Sequence, residues 1–301
     1  MIMSRILVSI GPIPARLDSV KYITNRFHGG LALKTAHNLR AMGHNVVLVA
    51  WEYLKIKTRL PIVRVKDVYD YSRKVLALKA DAYILAAAVA NLAPLKPFKG
   101  KFPSHKYSVG DVFPIDFTIA PRVIDEIKKK HKIATLIGYK LFDGTEKELV
   151  QAAQKTLFES RANLVFANHP GWAKKRKIVI TPDGASFYVD FGGHIKLIDK
   201  IVRAKFYRTE IVAAPKFAPN KEDVFVIKNY PKHKGSGMIF GAFAIRKAGG
   251  FITTTRGKRA REKATAFVMD VDHRKRLVYA DKKATLNAPL LDKLFKENPR
   301  V

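Results

Sequence analysis

The 301-residue chain predicts an α/β fold: a Rossmann-like, doubly wound, mostly parallel sheet followed by a smaller C-terminal α+β domain. Three observations predict it. Short apolar, β-branched runs alternate with helix-like stretches through the first two thirds of the chain, as a parallel sheet with helical crossovers requires. The opening runs from "RILVSI" through a glycine-containing loop to a helical pattern and on to "NVVLVAW", which is a βαβ unit. Near Tyr207 the texture changes to a Pro-, Lys- and Gly-rich passage and then to short strand-like runs.

In that first unit Leu31, Leu33, Ala36, Leu39 and Met42 fall near helical spacing, and Gly43 sits where a C-terminal cap belongs. The loop from Gly11 to Gly30 therefore opens onto a helix N-terminus, whose unpaired N–H groups and dipole favour an anion such as a phosphate. G-x-G-x-x-G is absent and the loop is much longer than that turn, so the residues alone leave nucleotide binding and a purely structural unit both open.

Next, "PIVRVKDVYDYSRKVLALKA" predicts a strand and a helix, and "DAYILAAAVANLAP" a buried strand running into a loop. The Pro-, Gly- and Lys-rich segment 95–121 reads as a long irregular excursion or a hairpin, a length at which loops are often functional. Helix 121–131, strand "ATLIGYKL", helix 145–159 and strand "ANLVFANHP" follow. "KIVITPDGASFYVDF" predicts a hairpin turning at Asp183-Gly184, and "HIKLIDKIVRAKFY" a closing helix. Doubly wound sheets bind ligands beyond the carboxyl ends of their strands, which singles out the loops after Ile10, Val89, Gly138 and Asn168. Residues 214–237 read as a linker with one strand; "MIFGAFAIR", "GFITTT", "TAFVMDVD" and "RLVYA" read as strands, and "NAPLLDKLFKENP" as a terminal helix.

A hydrophobic content of 48% supports true cores and excludes a disordered chain. No apolar stretch reaches the roughly 20 residues of a membrane span, and "MIMSRILVSI" is too short and too soon followed by Gly-Pro for a signal peptide, so a cytoplasmic protein is expected. The absence of cysteine removes disulfides, thiolate metal sites and cysteine nucleophiles, and no H-E-x-x-H or H-x-H pair supports zinc. The net charge of +31 invites a nucleic-acid reading, yet the basic excess is spread over both parts of the chain. The densest runs, "KKKHK" at 128–132, "KKRK" at 174–177, "RGKRAREK" at 256–263 and "HRKR" at 273–276, fit solvated faces more readily than a phosphate-tracking stripe.

Residues 3–208 resemble the phosphopantothenate–cysteine ligase family of coenzyme A biosynthesis, the C-terminal half of a bacterial bifunctional flavoprotein. The resemblance rests on Gly11-Pro12, Leu17 to Tyr22, Ile23-Thr24-Asn25 and His28-Gly29-Gly30, which answer the family's opening motif. "AAAVANL" at 86–92 is similar to the family's "AAAVADY", Gly138-Tyr139 to its "GF" strand end, and "NLVFAN" at 163–168 to its "DLIVAN". The resemblance implies activation of 4′-phosphopantothenate by CTP or ATP with Mg²⁺, amide formation with cysteine, and a homodimer. By the same resemblance Asn25 holds the acyl intermediate and Lys101 neutralises phosphate charge. Ala86, Ala87, Ala88, Gly138 and Tyr139 line the base pocket, the backbone at Gly11 and Gly29 approaches the phosphates, and Asn91 and Asn168 belong to the nucleotide site. FMN is not implied, because the decarboxylase half is absent. Asn91 and Asn163 stand where the family has aspartates, and Phe27 and His28 where it has serines, which bears on turnover rather than on the fold.

Residues from about 235 resemble the class II aldolase/adducin family through "GAFAIRKAGGFITTTRGK" and "KKATLNAPLLDKLF". Asn287 stands for that family's catalytic Glu and Ala242 for its phosphate-binding Asn, so aldol chemistry is not expected. Thr253, Thr255 and Gly257 could hold an anion or simply pack. The expected organisation is a ligase-like domain over 1–208, a linker over 209–234 and an aldolase-like segment over 235–301.

Overall fold

A computed structural model describes residues 4–172, 175–182, 184–204, 207–213, 220–229, 243–255, 265–275, 277–285 and 287–298. The chain divides into two compact units, residues 1–199 and 200–301.

In the first unit β1 (Arg5–Ile10) leads through β2 (Pro12–Ile13), β3 (Ala15–Arg16) and β4 (Tyr22–Ile23) to α1 (Gly30–Ala41) and β5 (Asn45–Trp51). Then come β6 (Ile62–Val65), α2 (Val68–Ala77), β7 (Ala82–Leu85), β8 (Ala88–Val89), β9 (Leu92–Pro94), β10 (Phe117–Ile119), α3 (Val123–Lys130), β11 (Thr135–Leu141), α4 (Glu146–Ser160), β12 (Leu164–Asn168), β13 (Lys177–Ile180), β14 (Ser186–Val189) and α5 (Phe191–Ala204). The main sheet has the order β14-β13-β12-β11-β7-β1-β5-β6, parallel from β12 to β6 and antiparallel at β13 and β14. The expected doubly wound, mostly parallel α/β sheet is present.

Local chemistry explains the elements. The inner strands are almost continuously buried, as strands covered on both faces must be. Ala32, Thr35, Ala36 and Leu39 form the buried stripe of α1, and Gly43, at φ +90°, ends it by donating its amide to the Arg40 carbonyl. Asp67 caps α2 by accepting from the Tyr69 and Asp70 amides, and Thr145 and Glu148 form a capping box on α4.

Strand order reverses between β1 and β7. The chain moves outward from β1 to β5 and β6, then crosses back through α2 to pair β7 with the other side of β1. The carboxyl ends of β1 and β7 therefore flank the topological switch point, where a crevice forms.

One expected strand end moves: β7 stops at Leu85, and after Ala86 and Ala87 the short strand β8 pairs with β2 instead of extending the main sheet. β11 runs to Leu141, as "ATLIGYKL" predicts, because Tyr139, Lys140 and Leu141 pair with Phe166, Ala167 and Asn168, so the loop expected after Gly138 follows Leu141 instead. The 95–121 excursion is closed by antiparallel pairing of β9 with β10, and so is a hairpin with a long irregular tip.

In the second unit β15 (Arg208–Ile211), α6 (Lys221–Asn229), β16 (Ala244–Lys247), β17 (Gly250–Thr254), β18 (Thr265–Asp272), β19 (Leu277–Ala280) and α7 (Ala288–Glu297) follow, with sheet order β15-β19-β18-β17-β16. Phe251, Val268, Val271 and Val278 centre its core. The strand expected within 214–237 is instead the helix α6. Asn220 Oδ1 accepts from the Asp223 amide and Asp223 Oδ2 from the Asn220 amide, a reciprocal pair that starts a helix where "VFVI" suggests a strand. Thr253 is buried and donates to the Phe243 carbonyl, Thr255 bridges to Ala284, and Asn287 begins α7 without a side-chain cap bond. Ala242 and Gly257 lie outside the described residues.

Candidate functional site

At the switch point the backbone of the β1–α1 loop is pressed against itself and against the loop after β7. Gly11 and Gly29 both have positive φ, +72° and +75°. A Cβ on Gly29 would lie 2.4 Å from the Gly11 nitrogen, so this approach admits only glycine. The Gly11 carbonyl accepts from the Ala88 amide at 2.9 Å, and β2 pairs in parallel with β8. Asn25 Nδ2 donates to the Ala88 carbonyl at 3.1 Å, and the Ala87 amide donates to the buried Ser9 Oγ at 3.2 Å. Gly11, Asn25, Gly29, Ala87 and Ala88 are thus brought into one constellation.

Gly29 also occupies the N-cap position of α1. No side chain caps that helix, and its first turn holds no acidic residue, so its positive end meets the crevice without a protein anion. That arrangement suits a phosphate.

Beside the constellation lies a cleft of about 170 Å³ lined by Leu85, Ala87, Val89, Asn91, Arg122 and Tyr139, among others. Asn91 is exposed, and its carbonyl accepts from the Ala120 amide. Gly138 packs under α3, where a Cβ would meet Ile124 Cδ1 at 2.7 Å. The Tyr139 hydroxyl lies 2.6 Å from Nε2 of His194 on α5, and the two rings pack with Phe166. Burial, helped by the charge of Lys177, pushes the His194 pKa down to about 3, so the ring is neutral; burial pushes the Tyr139 hydroxyl well up.

Other residues stand apart from the crevice. The Asn168 amide is turned to its own sheet: Oδ1 accepts from Lys177 Nζ at 3.2 Å, and the residue is buried. Asn163 sits at the amino end of β12, where Oδ1 accepts from the Leu136 amide at 2.9 Å and from Lys128 Nζ at 2.8 Å. Its departure from aspartate therefore bears on folding, not on the crevice. Two basic runs are not wholly solvated: Lys177 is 2% exposed, Lys128 is partly buried, and burial pushes each to about 8.

Sequence reasoning missed Ser9 and gave no role to Asp18. Asp18 is fully buried and binds four donors, from Val20, Lys21 (twice) and Phe102, joining the β1–α1 loop to the segment that carries Lys101. A lone aspartate in a polar loop gives no signal of burial. Its presence in the opening motif was the available hint.

This geometry defines a Rossmann-like α/β protein with a glycine-lined, anion-suited crevice at its switch point. The comparisons make the class specific: residues 1–187 match the family described as DNA/pantothenate metabolism flavoprotein C-terminal domain, and the chain belongs to that family. A curated relative, the coenzyme A biosynthesis bifunctional protein CoaBC of Thermococcus kodakarensis, is 26% identical over 169 residues, covering 54% of this chain and 41% of the relative. The chain thus spans well under half of that protein.

Among solved structures, the DNA/pantothenate metabolism flavoprotein from Streptococcus pneumoniae superposes with a TM-score of 0.58 at 22% identity, over 67% of this chain and 99% of that one. The C-terminal domain of the bifunctional protein CoaBC gives 0.54 at 21% identity, over 66% and 96%. A Cab2 variant in complex with phosphopantothenate-cysteine gives 0.55 at 15% identity, over 67% and 88%. These likenesses establish a shared fold.

Proposed function

We propose that the chain is a phosphopantothenate–cysteine ligase of coenzyme A biosynthesis. The observation that carries this reading is the crevice in which Gly29 abuts Gly11 at an uncapped helix N-terminus, beside Asn25 and Ala88. Family membership and the relatives' names support the same chemistry.

In this reading the substrate carboxylate attacks the α-phosphorus of CTP or ATP and pyrophosphate leaves. The cysteine amine then attacks the acyl carbon, loses a proton and displaces the nucleoside monophosphate. Catalysis is positioning and electrostatics. The α1 N-terminus and the glycine backbone receive phosphate, and Lys101, exposed and unpaired among the described residues, adds a positive charge. Asn25 uses one N–H on Ala88 and keeps a second for the acyl intermediate. The cleft beside Ala87, Asn91 and Tyr139 receives the base.

Among the described residues no group of three His, Asp or Glu is arranged to hold a metal. Mg²⁺ would therefore be held chiefly by the bound triphosphate, and would neutralise part of its charge. In this reading the ligase-like domain expected over 1–208 corresponds to the first compact unit, residues 1–199, and works as a cytoplasmic homodimer. Among the described residues no helix is long and apolar enough to cross a membrane.

The test is pyrophosphate release with 4′-phosphopantothenate, cysteine, Mg²⁺ and CTP or ATP. Release that requires the pantothenate substrate is expected, and Asn25→Ala should lower kcat while nucleotide affinity is kept. Nucleotide binding without release would instead assign a non-catalytic nucleotide-binding role, for which Asn91 in the aspartate position would be the reason.

A further inference from the structure

Lys101 lies in a long excursion, and a lysine on such a loop is a poor electrostatic group unless its backbone is fixed, because ordering a flexible backbone opposes binding. The structure fixes it on both sides. Gly100, at φ +74°, turns the chain just before Lys101, and its carbonyl accepts from the Ser19 amide at 3.0 Å. Just after Lys101, the Phe102 amide donates to Asp18 Oδ2 at 3.0 Å, and the Phe98 amide donates to the Leu17 carbonyl at 2.9 Å. The 98–102 segment is thus laced to residues 17–19 of the β1–α1 loop.

Asp18 is the carboxylate in this lacing, and the Lys21 ammonium that it holds lies 5.8 Å from the centre of the Phe102 ring. Its Oδ1 accepts from the Val20 and Lys21 amides at 2.7 and 2.6 Å, and its Oδ2 from Lys21 Nζ at 2.9 Å as well as from Phe102. All four partners are donors, so only an ionised carboxylate satisfies them; an amide would turn an N–H₂ toward N–H groups. Burial alone would raise this carboxyl, but the Phe102 amide, the Lys21 ammonium and the other amides hold it well below the usual carboxylate range. It is ionised at any pH at which the protein would work.

We infer that Asp18 is a positioning residue for the ligase reaction: a buried buckle that ties the phosphate-facing β1–α1 loop to the 98–102 segment and so sets where Lys101 meets the nucleotide. Asp18 reaches the ligand only through Lys101. The inference rests on the ligase reading above.

The test combines a double-mutant cycle with amide exchange, using the full chain. Asp18→Asn, Lys101→Met and the double variant are titrated with CTP and with ATP in the presence of Mg²⁺, and exchange at Phe102 is followed by NMR or mass spectrometry. Each substitution removes one charged group, so each single variant should weaken nucleotide binding about tenfold. The double variant should be no weaker than either single one, and Phe102 exchange should rise about tenfold in Asp18→Asn while the cooperative melt is kept. Should Asp18→Asn not fold, Lys21→Met, which leaves every backbone bond to Asp18 in place, carries the same cycle with an effect of about threefold. Additive effects, reaching about a hundredfold in the double variant, or unchanged Phe102 exchange would overturn the buckle. If the unmodified chain binds no nucleotide, the ligase reading falls and this inference with it; if it binds and the cycle is additive, only the buckle falls.

Discussion

The two ends of the parallel sheet are closed differently. At the amino ends, side chains satisfy backbone groups: Asp81 Oδ2 accepts from the Arg5 amide, Asn163 Oδ1 from the Leu136 amide, and Lys128 donates to Asn163 and to the Ala134 carbonyl. At the carboxyl ends around the switch point, backbone packs on backbone at Gly11, Gly29 and Ala88, with Asn25 and Ser9 bonding Ala88 and Ala87, and helix α1 starts with no side-chain cap. The difference teaches where stability and ligand chemistry reside. Polar side chains seal one end; at the other the helix N-terminus keeps its dipole for a guest.

That contrast should separate two classes of variant. Gly29→Ala has the largest expected effect, because its Cβ would lie 2.4 Å from the Gly11 nitrogen at a φ of +75°. It should abolish nucleotide binding and destabilise the fold by more than about 2 kcal/mol, from left-handed strain together with the clash. Denaturant melts and calorimetry with CTP check both. Asn163→Ala, at the sealed end, should destabilise by about 1–3 kcal/mol by orphaning the Leu136 amide and leaving Lys128 only the Ala134 carbonyl of its two acceptors. It should leave nucleotide affinity unchanged; altered affinity would dissolve the distinction between the two ends.

A smaller effect concerns pH. Lys128 and Lys177 titrate near 8 in the fold against 10.5 ordinarily, so between those values the unfolded chain binds more protons and stability rises with pH. Replacing Lys177 with Met should flatten that rise without removing it, since Lys128 remains. Melting curves recorded from pH 7 to about 10.5 would show it, and an unchanged slope would mean that Lys177 is solvated. For Asp18 the sign is opposite. Its depressed carboxyl contributes stability above about pH 4, the ordinary aspartate value, which is lost as pH falls further. The melts of Asp18→Asn and the unmodified chain should therefore converge in acid.

Much of the fold was legible because period and punctuation agreed: the end of α1 at Gly43, the span of α4, and the order of strands and helices through β12. The stripe of α1 is offset from the expected one, burying Ala32 and Thr35 with Ala36 and Leu39 while Leu31 is exposed and Leu33 and Met42 are only half-buried. The misreadings have local causes. "VFVI" is β-branched enough to suggest a strand, yet the Asn220–Asp223 exchange starts a helix there. The loop placed after Gly138 begins only after Leu141, because Tyr139 to Leu141 still pair with β12. Lys177 hides in a run of bases because burial is set by the antiparallel neighbour that brings it against Asn168. At the crevice the glycines and Asn25 were visible as residue types, while the contacts that join them, Gly29 to Gly11 and Asn25 to Ala88, span up to 63 positions and exist only once the sheet has formed.

The most direct measurement is a calorimetric titration of CTP and ATP with Mg²⁺ into the unmodified chain, Gly29→Ala and Asn163→Ala, under conditions where all three are folded. If the crevice is a polyphosphate site, the unmodified chain and Asn163→Ala should bind one of the two nucleotides saturably with matching affinity, and Gly29→Ala should show none. No binding by the unmodified chain, or equal binding by Gly29→Ala, would contradict the assignment.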